Sequence, residues 1–362
     1  TNGEAKPFLA AGYHRIGDFL AKGDFLPRTF APEDVTSYVL WRQGVHPERR
    51  FADPLEAAEA LGGLRSDYAA RLRVREFTPL DRLHRKGALY KGNVVPEYVT
   101  YCTLGQLGLS QRAKDVPLSV PMRRVLGVVK AEAPATRARI QQASPLGIAA
   151  TNAALKHLSE ANCVTRDAAG RYAAVPAPRT DPGRARRELF ASLFRSYGIF
   201  SAENLSAYTR YEYSMAEVRT LLREFESEGL LVKGFFVAGE RTLYWMLKED
   251  LDRIGAVRFP GDFVLTPMDN LAVYLRRQTV EKWGMGYAYL VFRGPEVVAA
   301  FRAKRRKAHL VVTEFAGDAH AIAIVKEFAE ENEVRVTEEA SQIPDSEVME
   351  WYEKMYGRGR AK

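Results

Sequence analysis

The sequence predicts an α+β protein with tandem winged-helix (helix-turn-helix) domains followed by a small β-barrel-like domain. Three observations lead there. Residues 185–247 read as three helices and a hairpin, the segment before them repeats that order, and after residue 250 the pattern turns to short β-branched and aromatic runs separated by Gly, Pro or charge.

The second unit is the clearer one. The apolar run of RRELFASLFRSYG gives its first helix, SAENLSAYT opens a second behind Ser201 as N-cap, and SMAEVRTLLREFESEG gives a third. That third helix sets Met215, Val218, Leu221, Leu222 and Phe225 on one face and ends at Gly229. LLVKGFF and RTLYWML follow as strands around Ala238, Gly239 and Glu240, a hairpin signal. In the first copy Met122, Val125, Leu126 and Val129 mark helix one, helix two follows Pro134, and helix three spans 146–160 with Ile148, Leu155 and Leu158 inward. CVTRD and RYAAV form its wing around Ala168-Ala169-Gly170, and PAPRTDPGR links the copies. The repeat is one of architecture and not of sequence.

The rest of the chain reads in order as follows. Residues 8–30 are weakly periodic and suggest a short helix and a loop. APEDVTSYVLWRQG is a helix with Pro32, Glu33 and Asp34 in its first turn, and ADPLEAAEALGG is another, capped by Asp53. LRSDYAARLRVREF is either an extended strand or a helix start; a helix follows over 79–86, then a mixed segment. Beyond 250, VRFPGDFVLTPMDNL, YAYLVFRG, EVVAAFRA and AHLVVTEFA are strand-like; DAHAIAIVKEFAEEN reads as a helix, VRVTEE as a strand and SEVMEWYEKMYG as a last helix. The expected domains are 1–117, 118–178, 184–250 and 256–362, in keeping with a length of 362 residues.

Composition narrows the function. With 46% hydrophobic and 27% charged residues the chain builds a packed core, and a net charge of +8 suits a polyanion such as nucleic acid or an anionic membrane surface. The two cysteines, Cys102 and Cys163, form no CxxC or Cys/His pattern, and the histidines show no metal-ligand spacing. GxxxxGK[ST], GxGxxG, GxSxG and HExxH are all absent, so neither a metal nor a cofactor is expected. No apolar run approaches the roughly 18 residues of a membrane span and no signal-peptide core opens the chain, so a cytoplasmic protein is expected.

Double-stranded DNA is the expected partner. On the first copy's third helix the outward candidates are Thr151, Asn152, Lys156 and His157; on the second they are Arg219, Arg223 and Glu224, among acids that would repel phosphate. The first copy is therefore the expected reader. Arg302, Lys304, Arg305, Arg306 and Lys307 form the densest basic cluster, read as a turn between two strands, either a solvated hairpin tip or a phosphate contact.

The order of these features resembles the winged-helix family that includes the AlkZ-type (YcaQ-like) DNA glycosylases of interstrand-crosslink repair. APEDVTSYVLWRQG followed by ADPLEAAEALGGLRSDY is similar to the family's opening helices, which run into a Gln-x-Gln or Gln-x-Asp motif. VLTPMDNL is similar to its Pro-x-Asp-Asn-Leu stretch, and EVVAAFRAKRRKAHLVV to its barrel hairpin. The resemblance runs from about residue 30 to about 318, and implies paired winged helices and a β-barrel domain around a concave DNA-binding cleft. It also implies that the catalytic pair falls on Arg65 and Asp67, with Arg65 departing from the expected glutamine. Breaking an N-glycosidic bond develops positive charge on the sugar, which a carboxylate such as Asp67 can stabilise while it orients or deprotonates a water. Arg65 on the same side would oppose that charge; turned outward it would hold a phosphate; the alternative is that the two residues form a surface ion pair that caps an element. Tyr68, with Tyr90, Tyr98 and Tyr101 downstream, is a candidate to stack on a displaced base, or an ordinary packing residue. The expected function is DNA repair by base excision; the alternative is a regulatory or recruiting DNA-binding protein that has lost the glycosylase motif.

Overall fold

Most helices of the chain begin where a short polar side chain can accept the orphan amides of the first turn. In the computed structural model, which describes residues 13–16, 19–22, 26, 28–94, 99–209, 212–306 and 308–337, Asp53 caps α2 (Pro54–Leu61) and Ser66 caps α3 (Asp67–Arg71). Thr103 and Gln106 form a capping box on α5 (Leu104–Lys114), as do Ser214 and Glu217 on α11 (Met215–Ser227). Where the N-cap residue itself offers no side-chain cap, α1 (Pro32–Arg42) and α4 (Leu80–Arg85) begin at or just after a proline. The chain divides into two compact units, residues 1–258 and 259–362.

In the first unit two similar sets of elements follow one another. α6 (Val120–Glu132), α7 (Arg137–Ala143) and α8 (Ile148–Glu160) lead into a hairpin, β5 (Val164–Arg166) and β6 (Tyr172–Ala174). α9 (Pro182–Tyr197), α10 (Ala202–Tyr208) and α11 lead into β8 (Leu231–Gly234) and β9 (Tyr244–Leu247). In both sets a short extended piece between the first two helices pairs with the hairpin's second strand: Ala135 bridges Tyr172, and β7 (Ile199–Ser201) pairs with β9. α9 is the hub of the unit, lying against α5, α2 and α1. It is fastened there by Ser196, whose hydroxyl donates to the Ala60 carbonyl at 2.8 Å and whose own carbonyl accepts from Gln43 Nε2 at 2.9 Å.

Several sequence expectations are corrected. Residues 13–16 and 19–22 pair as antiparallel strands, β1 (Tyr13–Ile16) with β2 (Phe19–Lys22), where a helix and loop were expected. Residues 65–77 resolve into one turn and a half of helix, α3, after an extended Leu64 that exchanges hydrogen bonds with Tyr101 at 2.8 and 2.7 Å. Helix α5 lies in the segment read as mixed, its Thr-x-x-Gln box overlooked. Ile148 is not inward but 65% exposed, because it is the first residue of α8 with no preceding turn to cover it. Thr151 is not outward: it lies fully buried on the stripe of Ala154, Leu155 and Leu158, its hydroxyl 3.0 Å from Ser144 Oγ.

The second unit is a five-stranded sheet in the order β10 (Asp262–Leu265), β11 (Tyr289–Arg293), β12 (Glu296–Arg306), β13 (His309–Gly317), β14 (Arg335–Thr337). All pairs are antiparallel except β13 with β14. The strands do not close into a barrel among the described residues; β10 and β14 are the edges, and α14 (Ile322–Glu331) packs against both, covering the opening with Val325, Phe328 and Ala329. Between β10 and β11 the stretch that begins within PMDNL forms two short helices, α12 (Asn270–Tyr274), capped by Asp269, and α13 (Arg276–Trp283), where a strand was expected. The expected last helix lies outside the described residues. No helix among the described residues is long and apolar enough to cross a membrane.

Candidate functional site

In the first unit a cleft of about 650 Å³ opens between α4, β3 (Tyr90–Gly92) and the β5–β6 hairpin. That volume lies within the roughly 300–1,000 Å³ usual for sites that enclose small ligands or single residues of a polymer. Its walls are held together by buried polar contacts. Asn162, fully buried at the end of α8, accepts from the Asn93 amide at 3.0 Å and donates to the Asn93 carbonyl at 3.1 Å and to Ser110 Oγ at 3.0 Å. Thr165 Oγ1 on β5 donates to the Lys91 carbonyl at 3.2 Å, and Lys114 Nζ to that of Asn93 at 3.1 Å.

Three side chains converge on the α4 wall. The Tyr101 hydroxyl, on β4 (Thr100–Cys102), donates to Asp81 Oδ1 at 2.5 Å, and Lys91 Nζ donates to the same oxygen at 3.2 Å while lying 4.7 Å from the Tyr101 ring centre. Those bonds, Tyr101's first and then that of Lys91, hold the Asp81 carboxyl below the usual carboxylate range. Tyr101 is pushed up by burial and then by Asp81; Lys91 is raised through the Tyr101 hydroxyl and, against its partial burial, by Asp81. His84 stands edge-on to the Tyr101 ring at 6.1 Å, and its Nδ1 donates to the Leu89 carbonyl at 2.9 Å. Arg85 and Arg166 add positive charge to the walls, whereas Asp167 is turned into its own hairpin, bonded to Arg171 Nε at 2.8 Å.

A second concavity of about 300 Å³ shares Asn93, Ser159 and Arg166 with the cleft and continues it toward Arg137, Asn152 and Lys156. Two of the four candidates named on α8, Asn152 and Lys156, thus stand at the far end of the same groove. Asn152 Oδ1 accepts from Gln141 Nε2 at 2.9 Å; Lys156 is 3.9 Å from Glu160, and His157, exposed, is 3.3 Å from the same carboxylate. On α11, Arg219, Arg223 and Glu224 are exposed. The acids of that helix are tied up: Glu217 pairs with Arg186 at 2.8 Å, Glu224 with Arg187 at 3.4 Å, Glu228 with Arg187, and Glu226 with Lys233 at 2.7 Å.

The remaining candidates are placed as follows. Asp67 is the first residue of α3 and exposed, and its Oδ1 accepts the Leu80 amide at 2.8 Å, so it caps the start of α4. It does not line the cleft, but it holds the residue next to Asp81. Arg65 is half-buried with its three guanidinium nitrogens shielded from solvent, so it does not present them outward to a phosphate in this conformation. Tyr68 is half-buried; Tyr98 lies outside the described residues. In the second unit the basic cluster is not a turn. Arg302, Lys304, Arg305 and Arg306 belong to strand β12, which runs in register with β13 as far as Arg306↔His309. Arg302 pairs across the ladder with Glu314 at 2.7 Å, Lys304, Arg305 and Arg306 are exposed, and Lys307 lies outside the described residues. The turn reading failed because a run of charge hides the strand period of two. Of the cleft residues, Asp81, Lys91 and Arg166 went unmarked in the sequence, since 10 and 20 positions separate Asp81 from Lys91 and Tyr101 and no local motif joins them.

A mixed α+β chain of this order, with helical elements and two helix-and-hairpin sets ahead of an open five-stranded sheet, has a solved counterpart. It is similar in structure to the Streptomyces sahachiroi DNA glycosylase AlkZ, with a TM-score of 0.65 over 85% of this chain and 99% of that one. Sequence identity is 14%, so the likeness is one of fold. No family model matches the sequence, and no curated protein matches it.

Proposed function

We propose that this chain is a DNA-repair protein of the glycosylase type, which binds double-stranded DNA and hydrolyses the N-glycosidic bond of a damaged or crosslinked base. The observation that supports it most is the likeness of fold to a DNA glycosylase over 99% of that enzyme's chain, joined to a polar cleft with a hydrogen-bonded carboxylate on its wall. In this reading residues 118–178 and 184–250 are winged helices, and the groove that runs from the cleft to Asn152 and Lys156 follows the nucleic acid. His157 on α8, Arg302, Lys304, Arg305 and Arg306 of β12, and Lys307 next in sequence are proposed contacts to DNA. Arg65 and Asp67 enter as the counterpart of the family's catalytic pair, with Tyr68 beside them.

One observation favours a second reading, a DNA-binding protein without catalysis. Asp67 spends an oxygen on capping α4, and Arg65 stands where the family has glutamine. Incubation with duplexes carrying alkylated, deaminated or crosslinked bases separates the two: abasic sites on at least one lesion support the glycosylase, and binding without excision across the panel supports the second reading.

A further inference from the structure

The Asp81 carboxylate lines the cleft beside a tyrosine hydroxyl and a lysine ammonium, and no sequence motif points to it. Both donors to Asp81, the Tyr101 hydroxyl and the Lys91 ammonium, use the one oxygen Oδ1. They fix the carboxylate on the cleft wall, where its side chain is 65% exposed, and neither of them uses Oδ2. Asp67, by contrast, binds the Leu80 amide and stands outside the lining. Around Asp81 the cleft offers what a single extruded nucleotide needs: Arg85 and Arg166 for its phosphates, and the exposed side chain of Val99, 57% accessible, as an apolar contact for a base.

The geometry points to Asp81 as the carboxylate that faces the sugar of a nucleotide held in this cleft, with Tyr101 and Lys91 as the residues that position it and Asp67 as the cap that fixes its helix. This rests on the glycosylase reading for the chemical step and deepens it. In that step a water oxygen bonds to C1′ as the C1′–N bond breaks, and the bonding pair leaves on the base nitrogen. The proton released by the water passes to Asp81 Oδ2 and from there to the departing base. The carboxylate also opposes the positive charge that develops on the sugar. Water is the only co-reactant.

The test uses the full chain and has an arm that needs no turnover. Two duplexes are compared, one with a neutral tetrahydrofuran residue in place of a nucleoside and one with a pyrrolidine residue whose ring nitrogen is cationic at neutral pH. Wild type is expected to bind the cationic duplex about tenfold more tightly, and Asp81→Asn to lose that preference while holding the neutral duplex to within about twofold of wild type. On a lesion that wild type excises, Asp81→Asn is expected to lower single-turnover excision about 100-fold or more. Tyr101→Phe gives a readout that a merely structural role would not move. Excision needs the ionised carboxylate and falls as pH drops through its pKa; loss of the Tyr101 bond raises that pKa, so the acid limb shifts to higher pH. The charged and titratable groups that share the cleft with Asp81 are Lys91 from β3, His84 and Arg85 on α4, and Arg166 and Asp167 on the opposite wall, and of these Lys91 and His84 lower its pKa. Absence of the cationic preference in wild type, or its survival in Asp81→Asn, overturns the assignment. Loss of the preference in Asp81→Asn from a protein that excises nothing keeps Asp81 at the sugar and defeats the glycosylase reading instead.

Discussion

Asp67 caps the start of α4, and that contact sets a measurable contrast between two substitutions. Leu80, whose amide Asp67 accepts at 2.8 Å, is 1% exposed, and Pro79 before it supplies no side-chain cap. Asp67→Ala leaves a buried N–H without an acceptor, at a cost of about 1–2 kcal/mol. Asp67→Asn keeps an oxygen in place and loses only the favourable charge near a helix start, about 0.3–1 kcal/mol. Urea unfolding read by circular dichroism resolves these values, and single-turnover excision on the best lesion found is read alongside. If Asp67 acts by holding the helix that carries Asp81, Asp67→Ala loses both stability and excision, and Asp67→Asn rescues most of both. A stable Asp67→Asn whose excision falls about 100-fold, as for a direct general base, would refute the capping argument and return Asp67 to the chemistry.

Three further outcomes follow from the geometry. Asn162→Ala strips partners from Asn93 and Ser110 inside the wall that joins α8 to β3 and is expected to cost about 2–3 kcal/mol in a urea melt; a cost under about 0.5 kcal/mol would show that the wall does not depend on it. Asp250, its side chain 2% exposed, accepts from the Tyr38 hydroxyl at 2.6 Å, Arg42 Nε at 2.7 Å and Arg253 Nε at 2.9 Å. Asp250→Ala leaves Arg42 half-buried without that counter-charge and is expected to destabilise by about 3–5 kcal/mol, whereas a midpoint within error of wild type would make the network dispensable. Replacing Lys304, Arg305 and Arg306 by alanine is expected to flatten the slope of log affinity for duplex DNA against log salt by about 2.7, at 0.9 per phosphate contact; an unchanged slope removes this hairpin from the interface.

Local physics carried much of the reading. Whether a helix starts at Asp53, Ser201 or Ser214 depends on a side chain and amides two or three residues away, and those starts were legible. The stripe of Val218, Leu221, Leu222 and Phe225 was legible for the same reason, because helix period and burial coincide. Where a residue sits at the end of its element the period misleads: Ile148 has the right spacing and no neighbour to cover it, and Thr151 has a polar label and a buried hydroxyl partner seven residues back. The β12 basic run hid a strand, since its pairing with β13 is decided by the partner and not by its own composition.

The chain's sequence alone determined its basic charge, its helix starts and the recurrence of a three-helix and hairpin order, all matters settled within a few residues. The cleft was decided only in three dimensions. It exists because Asn162 meets Asn93 across 69 positions, and because Tyr101 and Lys91 arrive at Asp81 from neighbouring strands. A carboxylate's role depends on which donor stands opposite it: for Asp67 that donor is an amide 13 residues on, and for Asp81 it is a tyrosine and a lysine on the wall of a cavity.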